Sequence, residues 1–490
     1  MKELKELYGT ILDLQAALAL LEFDQQTIMP PGAEEGRAEQ MATLSGIIHR
    51  ELTSAKLRKA LEKCEKNNAP SDSVEAAFCR QLRRKIDRAA QVPSKLVKKL
   101  ALATSSAHGA WLKAREKADY TILASELENI IALKQQYAAL FSGFDCAYDA
   151  LLDEYEPGMT SAQLTAVFTP LAKEQSLIVQ EATARFQEEN CFLQGEFSKS
   201  AQLTISRKVI RAMGYDLLHG RVDLTEHPFT TNIGLQDVRI TTAVHKNLPV
   251  SCLLSTIHEC GHALYEQGID PVYHRTILGD GVSYGFHESQ SRLWENLVGR
   301  SLAFWQWLYP EYQRRFKQLQ HVPLEDFYRA VNQVQPSEIR TEADEATYNL
   351  HILVRFELEQ ELFSGKLPPA ALRDAWNCKM EKYLGITPRN DRFGVLQDIH
   401  WPLGDFGYFP TYALGNLISA QLWEAAQKEL PGLENDIAKG NFRPLRRFLK
   451  EKVHRHGARY TREELLKNIC GTPDISAKPF LEHLKKRYLA

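Results

Sequence analysis

Apolar residues return at three- and four-residue steps along most of the chain, a period that admits little besides helices packed on helices. Leu4, Leu7, Tyr8, Ile11, Leu14, Leu18 and Leu21 set it at the amino end, and the spacing predicts a long first helix that stops near Met29-Pro-Pro-Gly32. A second helix is expected through Met41, Leu44 and Ile47, then a surface loop over 67–73. From Val74 to about Phe141 the pattern is helix upon helix, broken only at Pro93, and its many Lys, Arg and Glu read as solvated faces. Further helices are expected at 161–188, 200–213, 414–430 and 460–468, and the closing Lys485-Lys-Arg487 reads as a solvated helix end.

One stretch departs from this period. Residues 224–234 and 237–244 are Thr- and Val-rich and alternate with period two, which predicts a small sheet. Helix 251–267 follows directly, stopped by Gly268, and its centre reads His258-Glu259-Cys260-Gly261-His262. Histidines four residues apart on a helix share a face, about 5–6 Å apart at Cβ, and can close on one metal ion. Glu259 beside them can reach a water at that ion, while Cys260 points off the metal face and reads as a packing residue. The sheet just ahead matters because a strand edge can pair with an extended peptide.

A hydrolytic metal keeps three protein ligands and an open fourth position. The segment Gly285-Phe-His-Glu-Ser-Gln-Ser-Arg-Leu-Trp-Glu-Asn296 reads as a returning helix that offers Glu288 and Glu295 on one face, with Arg292 between them. His287 fits on spacing alone, and a carboxylate in a helix's first turn also has a purely structural reading. The residues by themselves leave the third ligand open.

Bulk properties exclude several other classes. The balance of 60 basic and 62 acidic residues, net charge −2, gives no electrostatic case for nucleic acid or an anionic membrane. No run approaches the length of a membrane span, and the mixed-charge start at Met1-Lys-Glu-Leu-Lys-Glu lacks the apolar core of a signal peptide, so a cytoplasmic enzyme is expected. Eight cysteines without a CxxC pair read as reduced and mostly buried.

Together, His258-Glu-x-Gly-His262 and His287-Glu-Ser-Gln-Ser-Arg-Leu-Trp-Glu-Asn296 resemble the carboxypeptidase Taq family of metallopeptidases. The resemblance extends in order through His227-Pro-Phe229, Asp237-x-Arg239-x-Thr241, Ile339-Arg340-x-x-Ala343-Asp344, Gly394-Val-Leu-Gln397-Asp398-Ile-His400-Trp401 and Gly407-Tyr408-Phe-Pro-Thr-Tyr412. An early block from Phe23 to Gly32 also matches, with Phe23 where Trp is usual. So many blocks in one order span nearly the whole chain and are far more specific than a lone HExxH. The resemblance implies metal ligands His258, His262 and Glu288, Glu259 as general base, and a homodimer. It also implies a mainly α fold, a large helical body with a deep neurolysin-like groove and a small β-sheet beside the HExxH helix. Cys260 stands where the family carries another residue, which leaves the site open to thiol oxidation.

Residues 1–490 are accordingly expected to form one metallocarboxypeptidase domain, with 1–200 as helical groove wall or lid and 201–490 as the catalytic half. The expected metal is one Zn2+, with Co2+ also fitting an N/O donor set. Tyr408, in a Gly-rich loop, is the candidate oxyanion donor, with a packing aromatic as its alternative. Arg340 is the candidate clamp for a substrate carboxylate, or it pairs with Glu342, Asp344 or Glu345. Arg239 is a second clamp or half of a structural ion pair, and His227 and His400 are candidate substrate hydrogen-bonders. Asp398 can orient His400. The leading expectation is removal of single carboxy-terminal residues from peptides with broad specificity. An oligopeptidase or dipeptidyl carboxypeptidase of the same groove type and a non-catalytic helical binding protein are the alternatives.

Overall fold

The computed structural model describes residues 1–67, 69–185 and 191–489. Helices dominate, as the period requires. The first runs Lys2–Thr27 and ends before the Pro-Pro-Gly turn, and the second covers Glu34–Leu52. Within the Lys/Arg-rich stretch the chain breaks twice. Helices Val74–Gln91 and Ser94–Lys117 part at Pro93, and a second break falls at Ala118, whose left-handed backbone (φ 51°) ends the helix before Thr121–Ala138. A single Ala carries no breaker signal, so the period alone did not disclose this turn. Helix Ser161–Arg185 begins where expected, while its expected end at 188 lies outside the described residues.

The expected solvated faces are only partly solvated. Arg88 of helix Val74–Gln91 lies over the Phe141 ring at 4.4 Å and bonds Asp153 at 2.8 Å and Glu154 at 3.1 Å. Arg84 joins it on Asp153. These cations tie the amino-terminal helices to the turn at 153–156, which matters for the site below.

The sheet has three strands, one more than the alternation predicts. β1 (Val222–Leu224), β2 (Thr230–Gly234) and β3 (Asp237–Thr242) lie in the order β1-β3-β2, with β1 parallel and β2 antiparallel to β3. Thr230 stands opposite Ile240, and the pairing slips between Asn232 and Gly234. β1 is short and half-exposed, so it carries too few residues to show a period. Residues 225–229, expected in a strand, form the connection instead. β3 buries Val238, Ile240, Thr241 and Thr242 under the helix Ser251–Gly268. β2 is left at the edge.

The basic end is corrected in part: Lys485 and Lys486 are exposed, but the Arg487 side chain is only 6% exposed and bonds Glu345 at 2.7 Å and the carbonyl of Asn296 at 2.7 Å, so the last helix, Lys478–Tyr488, is docked by charge. His483 and Tyr488 also meet Glu345, at 2.9 and 3.0 Å. Burial opposes ionisation of Glu345, but Arg487 and His483 outweigh it and hold the carboxyl well below the usual range. A carboxyl lowered in the folded state stabilises fully above its unfolded pKa of about 4.3 and loses that contribution as pH falls below it. Glu345→Ala should cost about 3–5 kcal/mol by leaving the Arg487 guanidinium desolvated without its counter-charge, measured by urea unfolding at pH 7. Glu345→Gln should flatten the loss of stability on acidification. Of the cysteines, four are buried, three exposed and one intermediate, so burial is less general than composition suggests, and all eight are free. Among the described residues no helix is long and apolar enough to cross a membrane.

Candidate active site

The helix Ser251–Gly268 forms because Leu253, Ile257, Ala263 and Leu264 bury one face while His258 and His262 line another. The two imidazoles stand 5.0 Å apart between centroids. Helix Tyr284–Arg292, capped by the Ser283 hydroxyl, returns against it and brings Glu288 to the same point. Glu288 Oε2 lies 3.7 Å from His258 Nε2 and 3.3 Å from His262 Nε2. One donor atom from each residue falls within 4.8 Å of the others. Donors at about 2.1 Å around a tetrahedral ion stand about 3.4 Å apart, so this set fits a divalent metal of zinc's size.

Two glycines allow the approach. A Cβ on Gly261 would sit 2.6 Å from Ser291 Cα, so the two ligand-bearing helices cross where only glycine fits. A Cβ on Gly415 would fall 2.4 Å from Glu288 Cγ, so helix Pro410–Glu429 cradles that side chain from behind.

Outer contacts orient each candidate ligand. His258 Nδ1 meets Glu295 Oε2 at 2.8 Å, which puts its proton on Nδ1 and turns the Nε2 lone pair toward Glu288. Glu295 arrives there because Leu293–Val298 is π-helical, a widening common at functional sites. His262 Nδ1 meets His287 Nδ1 at 2.6 Å, and His287 Nε2 meets Glu266 Oε1 at 2.6 Å. His287 is thereby engaged behind His262, outside the cluster of three. Glu266, unremarked in the sequence, stands four residues beyond His262 on the same helix face. That spacing was its available signal.

The electrostatics follow from burial and charge. Burial lowers the pKa of His262 to about 4, so its ring is neutral. Burial opposes ionisation of Glu288, but Arg292, at 2.7 Å, and the two histidines prevail and hold it far below the carboxylate range. Glu259 is pushed the other way, raised chiefly by burial, and its Oε2 accepts a 2.6 Å bond from Thr230 Oγ1 of β2. The sheet therefore touches the site through a residue that strand periodicity did not mark. Cys260 is fully buried and burial raises its thiol pKa, so it is the packing residue expected from its helix position, and the oxidation expected from its departure from the family is disfavoured.

Charge continues away from Glu288 in an unbroken chain. The Arg292 guanidinium lies 4.2 Å over the Tyr348 ring, and the Tyr348 hydroxyl accepts from Arg340 Nη1 at 2.7 Å. Arg340 is buried, and its Nε and Nη2 reach Asp398 at 3.1 and 2.9 Å, instead of the nearby acids at 342, 344 and 345. Arg355 bonds the same carboxylate at 2.7 Å, so two guanidiniums share one acid. Asp398 stands 3.9 Å from His400 Nδ1. His400, lowered to about 4 by burial, points Nε2 at the Tyr412 hydroxyl, 3.3 Å away. Tyr412 lies under Arg340, 4.9 Å from the guanidinium to the ring.

Tyr408 is half-buried among Tyr155, Tyr284 and Tyr412, at centroid distances of 5.0, 5.7 and 5.2 Å, and feels the charge of Glu288. Tyr412 joins this cluster to Arg340, a link that its place in a recognised block did not reveal. Arg239 lies within β3, opposite Thr231 of β2, and His227 lies in the connection ahead of β2. Arg239 bonds Asp237 at 2.7 and 2.8 Å and stacks on Phe23 at 5.0 Å. His227 is exposed ahead of Phe229, whose ring meets Phe23 at 6.0 Å.

Comparison with known proteins identifies the architecture. A family model described as carboxypeptidase Taq (M32) metallopeptidase matches residues 3–488. Thermostable carboxypeptidase 1 of Thermus thermophilus is 41% identical over 484 residues, 96% of this chain and 95% of the relative. Carboxypeptidase 1 of Bacillus subtilis is 36% identical, covering 99% of this chain and 97% of the relative. Among solved structures, the M32 carboxypeptidase of Deinococcus radiodurans superposes with a TM-score of 0.96 at 41% identity, covering 99% of this chain and 98% of that one. A Pyrococcus furiosus carboxypeptidase in an Apo-Mg form gives 0.97 at 35% identity with the same coverage. The chain belongs to the carboxypeptidase Taq (M32) family and is a metallocarboxypeptidase.

Proposed function

We propose that this M32 metallocarboxypeptidase removes single residues from the carboxy end of peptides, with broad specificity, using a metal held by His258, His262 and Glu288 and a general base at Glu259. Two imidazoles and a carboxylate suit Zn2+ best, with Co2+ an alternative. A bound divalent ion supplies Lewis acidity, polarising the scissile carbonyl and lowering the pKa of the attacking water toward about 7.

The remaining chemistry belongs to side chains. Glu259 accepts the water's proton and returns it to the departing amine, a cycle that a carboxyl with a raised pKa serves well. Thr230 keeps the base in place through its bond to Oε2. The Tyr408 hydroxyl donates to the oxyanion as the carbonyl becomes tetrahedral. The edge strand β2 aligns the peptide backbone, with His227 just ahead of it, Arg239 opposite Thr231, and His400 as hydrogen-bonding partners. Arg340 takes the terminal carboxylate. The observation that carries this reading is the chain from Glu288 through Arg292 and Tyr348 to Arg340, where Asp398 alone is shared between two guanidiniums and surplus positive charge is left for an anion.

The whole chain acts as one domain, with residues 1–200 as the wall of the groove and 201–490 as the catalytic half. It works as a homodimer in the cytoplasm, a setting its eight free thiols suit.

The test is an amino-blocked peptide offered with a free or an amidated carboxy terminus. Single residues should leave the free form only, and equal cleavage of the amidated form would overturn the exopeptidase reading in favour of an oligopeptidase. Chelation should abolish turnover, with Zn2+ or Co2+ restoring it. Glu295→Gln should weaken metal affinity about 10- to 100-fold, as loss of an outer-shell partner does, in a chelator-competition titration. An unchanged affinity would remove Glu295 from the site.

A further inference from the structure

The turn at residues 153–156 lies far in sequence from every residue placed at the metal, yet it is bonded on both sides. On one side Asp153 and Glu154 are held by Arg84 and Arg88 of the amino-terminal wall. On the other, the Tyr155 carbonyl accepts from the Tyr284 N–H at 3.2 Å, and Glu156 Oε1 accepts from the Gly285 N–H. Tyr284 and Gly285 open the helix that carries Glu288 one turn later. Opening amides lack partners inside their own helix, and a negative charge facing them is favoured by the helix dipole.

Glu156 is completely buried, a costly place for a carboxyl that must be offset by what it holds. Burial raises its pKa, opposed by Arg462, the Gly285 amide and Ser283, the capping residue of the same helix. Arg462 Nη1 stands 3.5 Å from Oε2 and neither atom makes another hydrogen bond, so the directed bond of this carboxyl runs to the ligand helix. The fit is tight: a Cβ on Gly285 would lie 2.7 Å from Glu156 Oε1 and 3.1 Å from Leu414 Cβ. The same strand of chain also supports the Tyr408 loop, since a Cβ on Gly407 would meet the Leu152 amide at 2.7 Å.

We infer that Glu156 is a positioning residue for the metal site, fixing the first turn of helix Tyr284–Arg292 and through it Glu288, and coupling the amino-terminal wall to metal affinity. This rests on Glu288 being a ligand, so the experiment separates the two. Metal-free wild type, Glu156→Ala, Glu156→Gln, Gly285→Ala and Glu288→Ala are titrated with Zn2+ against a chromogenic chelator, and thermal unfolding of each metal-free protein is recorded. Glu156→Ala should bind Zn2+ about tenfold more weakly, the lower end for outer-shell partners. Glu156→Gln, whose amide oxygen still accepts from Gly285, should stay within about threefold. Should Glu156→Ala not fold, Gly285→Ala, which crowds the same carboxylate, should show the weakening. Lower thermal stability with unchanged Zn2+ affinity in Glu156→Ala or Gly285→Ala, beside a weakened Glu288→Ala, would overturn the inference and leave the ligand set standing. Full affinity in Glu288→Ala would overturn the ligand set itself.

Discussion

Glu259→Gln should lower kcat by about 10²- to 10⁴-fold, the range that a positioned general acid–base group contributes, while metal content and KM stay near wild type. Glutamine matches glutamate in size, and its amide oxygen can still accept the Thr230 hydroxyl that bonds Glu259 Oε2 at 2.6 Å. What it cannot do is take a proton from water. The side chain makes no claim on the metal position, because the three converging donor atoms come from His258, His262 and Glu288. The loss should therefore fall on the chemical step alone. Steady-state kinetics with metal quantified in the same preparation checks this, and unchanged hydrolysis would overturn the proposed mechanism.

Arg340→Ala is the second large effect. Removing one partner of a buried, hydrogen-bonded charge pair costs about 2–5 kcal/mol, roughly 30- to 5,000-fold in kcat/KM on a peptide with a free terminus. Arg340→Lys should not rescue it, since an ammonium cannot reproduce the planar fork that meets Asp398 through Nε and Nη2. The informative readout is selectivity. If Arg340 holds the terminal carboxylate, the preference for free over amidated peptides collapses with it. If Arg340 only balances Asp398, both substrates lose activity in proportion, and Arg355, which bonds the same carboxylate at 2.7 Å, would keep much of the local structure.

The helix at the centre of the site was legible in the sequence almost to its ends, because its burial pattern, its stop at Gly268 and the paired histidines are all local signals. From spacing alone Glu288 was one of three candidates, and only the family resemblance singled it out. Choosing among them takes the crossing of two helices at Gly261, a contact between residues that no local period links. The same limit explains Arg340. Its partner Asp398 lies 58 residues away, while the acids at 342, 344 and 345 are closer along the chain but not in space. β1 escaped because three residues, two half-buried and one exposed, are too few to alternate, and the π-helical turn at 293–298 because it leaves the apolar spacing intact. Reading charged residues as solvated by default held for exposed lysines such as Lys95, Lys98, Lys485 and Lys486 but failed elsewhere. Arg88 and Arg487 are tied into the fold by acids that only the tertiary structure brings near.

One divalent ion is expected between His258, His262 and Glu288. Anomalous diffraction from Zn2+-loaded crystals at the zinc absorption edge tests it most directly. A single strong peak per chain is expected about 2.0–2.2 Å from His258 Nε2, His262 Nε2 and a Glu288 carboxylate oxygen, with Glu259 outside bonding distance. A peak coordinated by His287 or Glu295 in place of Glu288, or one bound directly by Glu259, would contradict it.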